Sequence, residues 1–433
     1  MLTDAARSTM LGLVQRACHV VTPSRYSVSG SRRGIAYYDT SRDEPITEVT
    51  EFAGAVAALQ ADPVIAAIYG PDNAQRLAIQ FVYNTCGLLD DGIDILAAFE
   101  ATWNALVTES SQPHWRFAAV ANLSNFSFAG DIADLGHGVS IQGRSFDRLR
   151  QTLGFDQVDL DVLAEDWSAG GAASSYVLVV ETSQPKTPAN FILASDGAAY
   201  PLAARALLAM RLTGAGAPHI GRMFLKRPAA FNTGIGGRSY AGFTIWWPGA
   251  QYNLTETIIP EIRQQVDTLI AVDKDLETSA RHIGLALRSF SSIYDRLMHQ
   301  GEDCVIDSIT ALEALWKLDS ELSFRLAFRT SSLLGTSDDL REQVFETLRT
   351  YYGIRSKIVH GTTLRASESA LVQNDEPLRE IVRKALRAFI HLLANPGEWT
   401  IGRLARDPDT VLLHSEKRSA LQRAMAALPL GAP

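Results

Sequence analysis

The feature that most constrains this chain is a change of hydrophobic period around Trp247-Pro248-Gly249. Before it, several short runs alternate apolar and polar residues or are rich in β-branched and aromatic ones, as strands require. These are Trp115 to Phe128, Gly138 to Ile141, Ser175 to Glu181, Met223 to Lys226 and Phe243 to Trp247. Helix-like spacing precedes them at Val49 to Gln60 and Gln75 to Phe99, and one helix is expected among them at Pro201 to Leu212. After the switch, from Thr255, the pattern is almost entirely helical. Apolar residues recur three, four or seven apart through Leu276–Leu297, Asp303–Leu318, Ser323–Leu334, Asp338–Val359 and Leu378–Leu393. Short polar joints separate these stretches, so neighbours are expected to pack antiparallel. The predicted fold class is therefore an α+β N-terminal part followed by an all-α helical bundle. The predicted domains are 1–250, with room for two subdomains, 251–395, and a short basic tail over 396–433 carrying a helix near Ser415 to Leu428.

A chain of 433 residues exceeds one ordinary core, which agrees with two domains. The net charge of −8 argues against a protein that simply coats nucleic acid, so any RNA site must be a local basic patch on an acidic body. The three cysteines, Cys18, Cys86 and Cys304, are far apart, odd in number and form no CxxC pair. Neither a thiolate zinc site nor a disulfide framework is expected, and the composition fits a reducing cytoplasm. Asp4 and the absence of a long apolar region near the start predict no secretory signal, and no run of about 18 uncharged apolar residues predicts a membrane span.

The candidate chemistry sits at Arg355-Ser-Lys-Ile-Val-His360-Gly361. Gly361 just past the last periodic residue signals a C-cap, which places His360 in the last turn, where the helix macrodipole favours an imidazolium. Arg355 lies five residues earlier, or about 1.4 turns, so the two side chains do not stack directly. A guanidinium fork binds phosphate and an imidazole moves a proton, which are the needs of phosphodiester cleavage. The same two residue types also serve helix ends for capping alone.

The wider context bears on that choice. Arg288-Ser-Phe290-Ser-Ser-Ile-Tyr294 is followed by Glu302-Asp303, Val305-Ile-Asp307, Ala311-Leu-Glu313-Ala-Leu315, Arg325-Leu-Ala-Phe-Arg329 and Tyr352-Gly-Ile-Arg355-Ser-Lys-Ile-Val-His360-Gly361. In that order and spacing, Leu285 to Gly361 resembles the Apea-like HEPN family of the HEPN ribonuclease superfamily. The resemblance implies a helical bundle that dimerises, with Arg-x4–6-His helices facing each other across the dimer in a composite, metal-independent endoribonuclease site. It also implies RNA as partner, no cofactor, and a role as a toxin or in antiviral defence. By position, Arg355 and His360 match the catalytic pair and Glu313 matches an acidic position on the second helix. Thr362 stands where the antitoxin-linked branch has Tyr, which argues against that branch.

Glu313, inside the apolar run Ile309 to Trp316, needs a partner, and Arg325, Arg329 or Arg355 could supply it. Arg325 and Arg329, four apart, share a helix face and either bind RNA phosphates or hold the bundle together; Lys357 is a further RNA-binding candidate. Asp90, Asp91 and Asp94 read as a solvated helix end before a cation site, and Gly234-Ile-Gly236-Gly237 as a loop or turn before a nucleotide cradle. The N-terminal region, with no catalytic motif, is expected to sense a trigger or restrain the nuclease. Two other readings stay open: a non-catalytic HEPN module that binds RNA, nucleotide or a protein, and a helical dimeriser attached to an enzymatic N-terminal domain.

Overall fold

A computed structural model describes residues 2–21, 24–26, 35–37, 44–89, 93–153, 175–188, 199–226, 236–239, 250–295, 301–318, 320–397 and 399–425. The helices among them, in chain order, are α1 (Asp4–Ala17), α2 (Glu44–Thr47), α3 (Phe52–Ala61), α4 (Pro63–Tyr69), α5 (Ala74–Leu89), α6 (Ile95–Ser111), α7 (Phe146–Leu153) and α8 (Ala199–Thr213). They continue with α9 (Ile259–Glu277), α10 (Arg281–Asp295), α11 (Gly301–Trp316), α12 (Leu322–Leu334), α13 (Asp338–Val359), α14 (Ala366–Gln373), α15 (Glu376–Ala394), α16 (Ile401–Arg406), α17 (Pro408–Leu413) and α18 (Ser415–Met425). The strands are β1 (Ser24–Tyr26), β2 (Ile35–Tyr37), β3 (His114–Ser124), β4 (Phe126–Phe128), β5 (Ile132–Gly136), β6 (Val139–Gly143), β7 (Tyr176–Pro185), β8 (His219–Lys226), β9 (Gly236–Ser239) and β10 (Tyr252–Leu254). Mixed α+β and purely helical parts are thus both present.

The chain divides into two compact units. Unit 1 is Met1–Asn122, His137–Ala203 and Arg222–Tyr240; unit 2 is Leu123–Gly136, Ala204–Gly221 and Ala241–Pro433. The division does not follow the linear boundary drawn at residue 250. Two earlier segments belong to the helical unit because of pairings that periodicity along the chain does not reveal. β4 pairs in parallel with β10, Tyr252 opposite Phe126, and those two rings stack 5.9 Å apart. Arg211 on α8, almost wholly buried, donates to Asp295 Oδ1 at 2.8 Å and lies 4.8 Å from the centroid of the Tyr294 ring.

In unit 1 the sheet order runs β6–β7–β3–β8–β9. β6 and β7 are antiparallel, with Val139 opposite Val180. β3 is central, and its Ala118-Ala-Val-Ala121 run is buried on both faces, which is why it reads as continuously apolar there. The helical part centres on Phe81, Phe99 and Trp103, with ring centroids 5.6 to 6.0 Å apart. Asp62 ties this part together: one oxygen accepts Val64 and Ile65 N–H at the start of α4, and the other accepts Thr3 N–H at 2.7 Å, beside α1. Burial works to raise the Asp62 carboxyl, but the backbone donors of Thr3, Ile65 and Val64 outweigh it and hold it below the usual value. The helical reading of Gln75 to Phe99 breaks into α5 and α6, because Asp94 caps α6, accepting Leu96 and Ala97 N–H at 3.0 and 3.1 Å. Asp90 and Asp91, the strand reading of Phe243 to Trp247, and Gly234 lie outside the described residues. Gly236 and Gly237, read as a loop, start β9, which pairs antiparallel with β8. No disulfide joins the cysteines, but Cys18 Sγ, just past α1, lies 2.7 Å from Cys86 Sγ on α5.

In unit 2 the first helices of the bundle bury an apolar stripe, whereas α15 is buried on nearly every side, from Leu378 to Leu392. Ile283, Leu287, Phe290 and Tyr294 of α10 are buried, as are Val305, Ile309, Leu312 and Trp316 of α11. The stretch read as one helix from Leu276 to Leu297 is cut between Glu277 and Arg281. Gly284 permits the fold-back: a Cβ there would come 2.5 Å from the Leu276 carbonyl oxygen. Residues 396–433, read as a tail, carry α16, α17 and α18, and they are attached to the bundle. Trp399, Leu412 and Leu421 are buried, and Gln422 Nε2 donates to the Gly335 carbonyl at the end of α12 at 2.9 Å. Among the described residues no single helix is long and apolar enough to cross a membrane; the bent pair α3–α4 passes on length and composition alone, and its Phe52, Leu59, Ile65 and Tyr69 are buried within unit 1.

Candidate active site

The site is built on α13. Ser337 caps its start, Oγ accepting Leu340 N–H at 3.2 Å, and Asp338 and Asp339 complement the dipole in the first turn. Val344, Leu348, Tyr351 and Ile354 recur four and three apart and form the buried stripe. The Tyr351 hydroxyl lies within hydrogen-bonding distance of the Leu371 and Asn374 carbonyls, and burial pushes the phenol up to about 12. That stripe fixes the rotation of the helix and leaves Tyr352, Arg355 and Lys357 half-buried at its margin.

The C-terminal end of α13 is a Schellman cap. Thr362 N–H donates to the Lys357 carbonyl at 2.8 Å and Gly361 N–H to the Ile358 carbonyl at 3.0 Å, with Gly361 at φ 66°. His360 is the C-cap residue, at φ −89° and ψ 6°, and it is exposed. The cap therefore holds the backbone of His360 while its ring faces solvent.

Arg355 faces α11. Its Nη2 lies 3.7 Å from Glu313 Oε2, and the two side chains are 27% and 20% exposed. That separation is an ion pair but longer than a hydrogen bond. Among the described residues, Arg355 Nε and Glu313 Oε1 have no protein hydrogen-bond partner. The guanidinium carbon lies 5.9 Å from the Tyr352 ring centroid, at the outer range of a cation–π contact. The Tyr352 phenol is raised by burial first and then by the Glu313 carboxylate, against the opposing effect of Arg355. Glu313, Tyr352 and Arg355 thus form one coupled group. Tyr352 stands inside the motif quoted from the sequence without a role assigned; its position three residues before Arg355 on one helix is the signal that places them together.

The remaining candidates separate. Lys357 Nζ pairs with Glu368 Oε1 at 2.6 Å, and Glu368 Oε2 accepts the Arg365 N–H at the start of α14. The Lys357 hydrogen bond is the main reason that the Glu368 carboxyl is lowered. Arg325 Nε pairs with Glu321, one turn earlier, at 3.2 Å. Arg329, four residues on, is not exposed beside it. Its guanidinium is buried and forks onto Asp409 of α17, Nε to Oδ1 at 2.7 Å and Nη2 to Oδ2 at 2.9 Å, with Nη1 directed at the Trp316 carbonyl at 3.4 Å. Of the two uses open to Arg329, holding the bundle is the one observed, because the Nε/Nη2 edge of the fork grips Asp409, Nη1 meets a carbonyl and the side chain is buried.

A cavity of about 240 Å³ opens elsewhere in unit 2, lined by Glu261, Gln265, Asp267, Arg387, His391 and Asn395 among others, and none of the candidate residues lines it. Among the described residues no three His, Cys, Asp or Glu side chains group as metal ligands. Comparison with known proteins finds no matching family model, no matching curated protein and no matching solved structure.

Proposed function

We propose that unit 2 is a metal-independent HEPN-type endoribonuclease that acts as a two-fold dimer in the cytoplasm, in defence against invading nucleic acid, with unit 1 as its sensing or restraining part. The observation that carries this reading is the state of the Arg355–His360 pair. Neither residue is locked in an apolar core: His360 is an exposed imidazole on a capped helix end, and Arg355 is a half-buried guanidinium held by a 3.7 Å ion pair and a 5.9 Å contact to the Tyr352 ring. A phosphate presented to that helix end would compete with Glu313 for Arg355 on favourable terms, because it accepts two charge-assisted hydrogen bonds where Glu313 makes none. In the proposed reaction a ribose 2′-hydroxyl attacks the adjacent phosphorus, the 5′-oxygen leaves, and a cyclic phosphate forms. His360 takes or returns the proton, and Arg355 stabilises the charge growing on the phosphoryl oxygens. A two-fold dimer would supply a second pair to divide the acid and base roles.

A second reading, a binding module without catalysis, has one observation in its favour: Glu313 already offsets the Arg355 charge. Incubating the full chain, His360→Ala and Arg355→Lys with total RNA in excess EDTA separates the two. Catalysis requires cleavage by the wild type, cyclic-phosphate ends and loss in His360→Ala with dimer and fold retained. RNA binding by the wild type with no cleavage supports the module.

A further inference from the structure

Cys18 and Cys86 are 68 positions apart in sequence, yet unit 1 sets their sulfurs 2.7 Å apart. Cys18 is half-buried at the end of α1, with exposed His19 and Val20 after it, and Cys86 is buried on α5. Both stand at the ends of well-packed helices in one unit, so the contact is set by the packing of α1, α3 and α5. A disulfide needs its sulfurs at about 2.05 Å, so a small further approach of this pair closes the bond.

We propose that Cys18 and Cys86 form a reversible thiol–disulfide pair, closed by a peroxide. The Cys18 sulfur, the more accessible, attacks the peroxide oxygen. The O–O bond breaks, the leaving hydroxide departs as water with the thiol proton, and Cys18 becomes a sulfenic acid. The Cys86 sulfur then attacks Cys18 Sγ. The S–O bond breaks, a second water carries off the Cys86 proton, and the S–S bond forms. Two thiols are oxidised by two electrons and one peroxide is reduced to two waters; a dithiol reverses the change by exchange. Cys18 is only half-exposed to peroxide, so the first step is the slower one. The second is fast, because the resolving sulfur is already in contact, and this protects Cys18 from further oxidation. The consequence is a covalent clasp between α1 and α5, in the unit to which no chemistry is otherwise assigned. It does not depend on the ribonuclease reading of unit 2.

Cys304 is the internal control. It is buried on α11, far from oxidant, and burial pushes its thiol up to about 12. The full chain should be exposed to hydrogen peroxide, alkylated in denaturant and mapped by mass spectrometry. The expected result is one intramolecular Cys18–Cys86 link per chain, Cys304 still alkylated, and recovery of all three thiols with dithiothreitol. In Cys18→Ser no link should form and Cys86 should alkylate fully. Alkylation of both Cys18 and Cys86 after prolonged oxidation, or sulfinic acid at Cys18 beside an alkylated Cys86, would overturn the proposal on the wild type alone.

Discussion

Two corners of unit 2 use one chemical pairing, an arginine reaching a carboxylate on another helix, and use it differently. At Arg329 the guanidinium is buried and grips both oxygens of Asp409 at 2.7 and 2.9 Å. At Arg355 the contact to Glu313 is 3.7 Å, off hydrogen-bond range, and about a quarter of the side chain is exposed. The first arrangement satisfies the fork and locks α17 onto α12. The second leaves most of the fork's donors available and costs little to open. Residue type alone does not separate them; geometry does. A tight, desolvated, bidentate pair acts as structure, and a loose, half-wet one is free to exchange partners.

The largest expected effect tests the exchange. Lysine at 355 keeps the charge but loses the planar fork. Arg355→Lys should lower RNA cleavage by about 10²-fold, the scale of removing one donor to a developing oxyanion, while the melting temperature stays near wild type. Arg329→Lys should leave the cleavage chemistry of folded protein unchanged. If Arg355→Lys cleaves like wild type, Arg355 is a second structural pair and the contrast collapses.

Next comes stability. Arg329→Ala leaves Asp409 with only the weaker attraction of Arg325 and removes the Arg329 donor from the Trp316 carbonyl. Asp409 is 37% exposed and rehydrates in part, so the loss should fall below the 3–5 kcal/mol of a fully buried broken pair, at about 2 kcal/mol. Arg355→Ala should cost under about 1 kcal/mol, as a loose, partly exposed pair does. Urea titrations of both variants measure the difference, and equal midpoints would show that the 3.7 Å pair holds the bundle as firmly as the forked one.

Why the two corners could not be told apart beforehand is a matter of what sequence encodes. α13 is legible from Asp338 to Gly361, because its signals are local: an apolar stripe runs through it and Gly361 stops it, and the structure adds the Ser337 cap. The Glu313 partner is legible only as a choice among three arginines, since the choice depends on how α11 and α13 pack. The Arg329 partner, 80 positions away on α17, is not legible at all. The same holds for Cys18 and Cys86, and for the segments 123–136 and 204–221 that join unit 2. Each of these depends on a contact between distant segments, which local period and propensity do not carry.

Acid should separate the Arg329 corner from the seam between α10 and α11 without mutation. His282 on α10 is pushed down to about 4 by burial first and then by Lys317, which lies just past α11 and one turn beyond Glu313. An unfolded histidine titrates near 6.5, so between about pH 6.5 and 4 the unfolded chain takes up a proton that the folded chain refuses. Stability present above about pH 6.5 is therefore lost as pH falls to about 4 and levels off below. The residue is partly exposed, so the loss should be discounted to about 1–2 kcal/mol. Asp409 behaves differently. Its carboxyl is held low by the Arg329 hydrogen bond, against burial, so its contribution persists through that window and is lost only as pH falls below about 4, through its folded value. Denaturant midpoints against pH should show two steps. His282→Gln should remove the upper, and Asp409→Asn should shrink the lower, to which Asp62 and Glu368 also contribute; a single step untouched by His282→Gln would refute the order.

The smallest effect tests the end of α13 itself. Gly361 sits at φ 66°, and a Cβ there would meet nothing within 4 Å. The cost of Gly361→Ala is thus purely conformational, about 1 kcal/mol for a left-handed non-glycine residue. The cheapest relief is to fray the Schellman turn, releasing the Lys357 and Ile358 carbonyls and swinging His360 away from its position relative to Arg355. The Arg329 corner feels none of this. Cleavage should therefore fall further than stability does, because a catalytic imidazole tolerates little displacement while a surface helix end tolerates much. Asparagine enters the left-handed region more readily than alanine, so Gly361→Asn should recover most of the activity with only a small change in melting temperature. Should Ala and Asn at 361 prove equal in cleavage, the cap does not position His360, and the orientation of that ring must be set by contacts other than the cap.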